Sequence, residues 1–65
     1  MTVKYFDDTD TLYIEFRQAD IVESRDLDED TVLDLDAEGR ICAITFEHAS
    51  HRTDVSHLSV EGIAA

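Results

Sequence analysis

Residues 11–17 read T-L-Y-I-E-F-R, a hydrophobic alternation of period two. Successive side chains leave a strand on opposite faces, so Leu12, Ile14 and Phe16 share one face while Tyr13 and Glu15 take the other. An amphipathic helix would instead repeat its apolar residues every three or four positions. The same beat runs through most of the chain. Val3 and Tyr5 alternate with Lys4 and Phe6 as a first strand, and the polar residues 7–10 suit a hairpin loop. Residues 31–36 set Leu33 and Leu35 on one face and Val32, Asp34 and Asp36 on the other. Ala37-Glu38-Gly39 follows, a short connection whose glycine can take the positive φ that a hairpin needs. Residues 40–46, R-I-C-A-I-T-F, are rich in β-branched and aromatic types, with Cys42, Ile44 and Phe46 on one face. Residues 21–27 carry Glu23, Ser24, Arg25 and Asp26 and suit an edge or a twisted, half-exposed strand.

The expected fold is therefore mainly β (a small α+β chain at most): an antiparallel meander of about five strands with a short C-terminal helix or turn. All 65 residues form one expected domain, with the sheet over about 2–48 and a helical or irregular tail over about 49–65. In the tail, Thr53-Asp54 can cap a short helix carrying Val55 and Leu58, while Leu58-Ser59-Val60 can equally run extended. One face collects Val3, Tyr5, Leu12, Ile14, Phe16, Leu33, Leu35, Cys42, Ile44 and Phe46. A greasy face of that size needs a cover. The tail is short and polar, so a homodimer that packs sheet on sheet or swaps tails is expected. A core this small supplies only about 3–5 kcal/mol, and Cys42, the single cysteine, rules out a disulfide within the chain. A lone cysteine suits a reducing interior, and no leader or apolar span is visible, so the expectation is a cytoplasmic protein without a membrane segment.

Sixteen Asp and Glu against five Lys and Arg give a formal net charge of −11. Such a surface repels itself at low ionic strength. At 1 M salt the screening length falls to about 3 Å, so the composition suits a host with molar internal salt. A mesophilic acidic protein whose negative face repels nucleic acid is the alternative. Nucleic-acid binding lacks the cations that phosphate contacts require. High charge also permits disorder, but 43% apolar residues and a sustained alternation argue for a folded chain.

Tyr5, Asp10, Leu12, Tyr13 and Ile14 follow the pattern Y-D-x-x-x-D-x-L-Y-I. Leu33-Asp34-Leu35-Asp36, Gly39-Arg40-Ile41, Ile44, Phe46 and Ala49-Ser50 follow L-D-L-D-x-x-G-R-x-x-x-I-E-I-x-x-A-S. In this order and spacing, over residues 3–50, the chain resembles the Domain of Unknown Function 2283 family of small prokaryotic proteins. The resemblance implies a compact antiparallel sheet with a short helical element and brings no activity with it. Phe6 stands where the family pattern has Asp, Asp7 where proline is common, and Ala43 and Thr45 replace Gly and Glu. A family site using that first Asp or that Glu would be incomplete here.

Several motifs invite chemistry. Asp34-x-Asp36-x-Glu38-Gly39 opens like a calcium loop, but the twelfth position, a bidentate Glu in such loops, is Thr45, and strands flank it. A hairpin turn explains it better. Asp26-x-Asp28-Glu29-Asp30 has no glycine for a sharp turn and reads as a solvated loop. His48, His51 and His57 raise a metal reading, helped by Asp54 or Glu47, but zinc sites usually need three or four ligands with fixed support. Surface or dimer-interface histidines are the preferred reading. Cys42 sits on the apolar face, where a small core residue is expected rather than a nucleophile. Tyr5 and Tyr13 are expected to bury their rings and keep their hydroxyls near water. No catalytic, cofactor-binding or metal-ligating residue is therefore assigned. The leading expectation is a non-enzymatic homodimeric interaction or regulatory module with a further protein partner. The alternative is a small-molecule or metal-binding protein, or a weak enzyme, with its site around His48, His51 and His57 at a dimer interface.

Overall fold

The structure, a computed structural model, describes residues 1–57. It contains five strands in a single antiparallel sheet: β1 (Thr2–Phe6), β2 (Thr11–Glu15), β3 (Glu23–Asp28), β4 (Thr31–Leu35) and β5 (Ile41–Phe46). Two single-turn 3-10 helices follow, η1 (Ala49–His51) and η2 (Val55–His57). Among the described residues, the short element after the sheet is thus a pair of turns. Asp54 does cap the second one, accepting hydrogen bonds from the Ser56 N–H at 3.1 Å and the Ser56 hydroxyl at 2.6 Å. The expected role of Leu58, and the extended alternative over Leu58-Ser59-Val60, lie outside the described residues.

Strand order across the sheet is β1-β2-β5-β4-β3. This corrects the simple meander. Only β3, β4 and β5 follow one another in space, and the β1–β2 hairpin docks on the far side of β5. The reason lies in the strands themselves. β3, with the sequence E-S-R-D-L-D, is exposed at all six positions, so it can serve only as an edge. β5 buries Cys42 and Ala43 on opposite faces and takes partners on both sides. A bulge at Leu27 and a fringe of charges protect the β3 edge from pairing with other strands.

The register preserves the apolar face read from the alternation. Val3 pairs with Ile14 and Tyr5 with Leu12; Leu12 in turn opposes Phe46, and Ile14 opposes Ile44. On the other side of β5, Leu33 opposes Ile44 and Thr31 opposes Phe46. Directly opposed residues share a face, so these side chains form one continuous surface. Within it Leu12, Leu35 and Cys42 are buried, whereas Val3, Tyr5, Ile14, Leu33, Ile44 and Phe46 are only half-buried. All five strands belong to one sheet, so the described residues form a single layer.

The β4–β5 hairpin turns as its glycine predicts. The Gly39 N–H bonds the Asp36 carbonyl at 3.0 Å, and the Asp36 N–H bonds the Arg40 carbonyl at 3.1 Å. Gly39 adopts φ 79°, the left-handed position of a three-residue loop. Replacing Gly39 with alanine meets no steric neighbour but forces a Cβ into that conformation, so a loss of about 1–2 kcal/mol is expected in urea unfolding. Leu12→Ala, at a position 4% exposed, should lose about 2–4 kcal/mol, while Phe6→Ala on the opposite face should stay within about 0.5 kcal/mol.

Candidate functional site

Polar chemistry concentrates where residues 47–52 leave β5 and cross between two hairpin loops. Backbone bonds set the path. The Glu47 N–H reaches the Asp30 carbonyl at 2.7 Å in the β3–β4 loop, and the Ala49 N–H reaches the Asp10 carbonyl at 2.9 Å in the β1–β2 loop. His48 between them takes φ 53°, a left-handed kink that starts η1. Ala49 is fully buried beneath this crossing.

Side chains then lock the segment. Asp10, itself left-handed at φ 53°, accepts the Tyr5 hydroxyl at 2.5 Å, the Ser50 N–H at 3.0 Å and the Ser50 hydroxyl at 2.7 Å. Aspartate tolerates that backbone conformation better than most residues because its short side chain can bond locally. These donors hold the Asp10 carboxyl below the usual carboxylate range, the Tyr5 hydroxyl contributing most and Ser50 next. Reciprocally, the hydrogen bond to Asp10, with burial and the charges of Asp10 and Asp7, pushes the Tyr5 phenol up to about 12. On the other loop, His48 Nδ1 lies 2.9 Å from Asp30 Oδ1, and that contact raises the His48 pKa. Arg52 donates to the Thr31 hydroxyl at 2.5 Å, lies 3.7 Å from Asp28 and stacks 5.3 Å above the Phe46 ring.

The cluster clasps the segment to both loops. Asp10 receives three donors, and the Tyr5 phenol is held protonated. The residues that carry the family resemblance at the two ends of the chain, Tyr5 and Asp10 with Ala49 and Ser50, meet here. That the first pair bonds to the second was not legible from spacing, since 40 residues separate Asp10 from Ser50. Arg52 was not singled out at all.

The other singled-out residues fall into structural places. Asp36, 9% exposed, accepts the backbone N–H groups of Glu38 at 2.9 Å and Arg40 at 3.0 Å, which lower its pKa along with the nearby Arg17 guanidinium at 3.6 Å. Asp34 is bonded by the Ser24 hydroxyl across the sheet at 2.8 Å, and Glu38 pairs with Arg40. The calcium-like run is therefore spread over a strand and a turn. Asp28 serves its own turn through the Asp30 N–H at 2.9 Å, which heads the contacts lowering its pKa. His48 and His51 stand with ring centroids 6.0 Å apart, and His57 lies in η2. Among the described residues, no three His, Cys, Asp or Glu side chains converge as metal ligands, and no helix is long and apolar enough to cross a membrane. Cys42 is 1% exposed, with its thiol 3.7 Å from the Arg40 carbonyl. The departures Phe6 and Thr45 both lie on the face opposite the apolar one, Phe6 against Thr11 and Thr45 between Tyr13 and Val32.

The clasp has a defined pH window. A depressed Asp10 stabilises the fold above the ordinary carboxylate pKa of about 4, an effect lost as pH falls through its lower folded value. A raised Tyr5 stabilises below about pH 10, an effect lost as pH rises through about 12. In ultraviolet titration, Asp10→Asn should bring the late-ionising tyrosine back toward 10 and lower the thermal midpoint. A wild-type Tyr5 that ionises at 10 while the protein stays folded would refute the contact. For His48 the raised pKa means stabilisation below about pH 6.5 that fades as pH rises through its folded value. Asp30→Asn should return its NMR titration to the ordinary value.

Compared with known proteins, residues 2–50 match the model of a family described as protein of unknown function (DUF2283). No curated protein and no solved structure matches the chain.

Proposed function

Since the chain belongs to the DUF2283 family, whose description names no activity, we propose from its own surface that it is a non-enzymatic homodimeric interaction module. The observation that carries this reading is where charge is missing. Sixteen acidic residues populate the chain, yet on the apolar face the strand positions of β1, β2, β5 and β4 hold no Asp, Glu, Lys or Arg. Among strand positions, charge returns at the β3 border, where Arg25 and Glu23 pair with each other at 2.7 Å, and beyond β5 the Arg52 guanidinium lies over the Phe46 ring.

Two copies of a chain with net charge −11 repel wherever their carboxylates approach. This face is where they can meet without that penalty. Burying the half-exposed Val3, Ile14, Leu33 and Ile44 would add the apolar contact that a single layer lacks. The remaining surface, acidic and water-holding, suits a salt-rich cytoplasm and leaves the rim of the dimer for a further protein partner.

Light scattering and circular dichroism across a KCl series test the proposal together. A folded β dimer is expected at about 1 M salt, where the screening length is about 3 Å, with dissociation or unfolding in dilute buffer. A stable monomer at every salt concentration would overturn it. Copurification from a native lysate at high salt should also recover a reproducible partner.

A further inference from the structure

We infer that the groove at one end of the apolar face seats the partner's Phe16 ring, in a two-fold dimer whose axis crosses the sheet at the Ile14–Ile44 pair. The inference rests on the dimer reading above and gives that dimer an orientation.

The groove, of about 320 Å3, lies between β2, β5 and the clasp and is lined by Leu12, Ile14, Phe46, Ala49, Arg52 and Thr53. Its floor is apolar. Its one charged neighbour is already engaged: the Arg52 guanidinium donates to Thr31, faces Asp28 and lies over the Phe46 ring. A polar or anionic ligand would have to compete for that group, whereas an apolar ring would not.

Phe16 supplies such a ring. It is 43% exposed, although it directly follows β2 on the alternation that places Leu12 and Ile14 on the apolar face. Its N–H donates to the Cys42 carbonyl at 2.7 Å, one pair beyond Ile14–Ile44, and the Arg17 N–H reaches the same carbonyl at 3.3 Å, so the pairing ends there in a bulge. The other large exposed side chains are less suited. Phe6 points to the opposite face, Met1 precedes β1, Ile21 and Val22 precede β3, Leu27 sits in the edge bulge, and Ile41 opens β5 at its irregular pairing with Leu35.

Knob and hole therefore lie on one strand, with Phe16 about 13 Å from Leu12 at strand rise and Ile14 midway between them. A two-fold interface requires that if one residue meets a second, the second meets the first in return. An axis lying in the interface, perpendicular to the strands and passing over Ile14, exchanges the two strand ends. It sets each Phe16 over the partner's Leu12–Phe46 groove and stacks Ile14 and Ile44 on their own counterparts. The sheets then pack with strands nearly aligned, as sandwiches do. An axis along the strands would stack groove on groove and leave both rings without a seat.

Photocrosslinking from position 16 tests the seat directly. With benzoylphenylalanine in place of Phe16 and a mixture of isotopically light and heavy chains at high salt, links between chains are expected to Leu12, Phe46 or Ala49. Links between chains that fall elsewhere, or links within one chain to residues 58–65, would overturn the seat. Phe16→Ala should raise the dimer Kd at least about 30-fold, the scale of an aromatic interface anchor, with unchanged circular dichroism, and Phe16→Leu should recover part of the loss. An unchanged Kd in Phe16→Ala refutes the seat and leaves the dimer standing. A monomeric wild type refutes both.

Discussion

Two-sided pairing of β5 is the constraint on which everything else depends. Its left-hand neighbour β2 comes from the first hairpin and its right-hand neighbour β4 from the second, so β5 alone joins the two halves of the sheet. Loss of that strand would leave a lone two-stranded hairpin on each side, a unit only marginally stable in water. Its composition fits the position. Cys42 and Ala43 are small enough to be covered on both faces, while Ile44 and Phe46 anchor the apolar surface.

Where β5 ends, the chain does not simply run off the sheet. Glu47 and Ala49 bind the two loops that flank β5, and Asp10, Asp30 and Thr31 receive the side chains of Ser50, His48 and Arg52. The same two halves are thus joined twice, by the ladder along β5 and by polar bonds beyond its end. This accounts for acidic residues that would otherwise look catalytic. Asp10, Asp28 and Asp36 each hold their carboxylates against backbone N–H or hydroxyl donors, and hydrogen bonds to the charged form favour ionisation. Their low pKa values report turn and clasp geometry.

The distribution of the remaining charge links stability to assembly. A single layer with few buried side chains gains little from its own core, and its net charge opposes close approach of copies. Both difficulties ease at high salt, where screening weakens the repulsion without weakening apolar contact. In the dimer proposed above, the apolar face is the place of association, and its groove and the Phe16 ring give that association a direction.

Strands, faces and turns were legible in the sequence because each depends on residues next to one another. Alternation assigned Leu12, Ile14, Ile44 and Phe46 to one face, Gly39 announced its turn, and the polar run over β3 marked an edge, all through local sterics and solvation. Tertiary structure alone decided the placement of β2 beside β5, since an antiparallel pair can form across a long connection and the pattern of period two is the same for any neighbour. It also decided that Asp10 receives Ser50 and that Thr31 receives Arg52. Those contacts join residues far apart in the chain, and only when β5 has brought its end between the two loops do their side chains come within bonding distance.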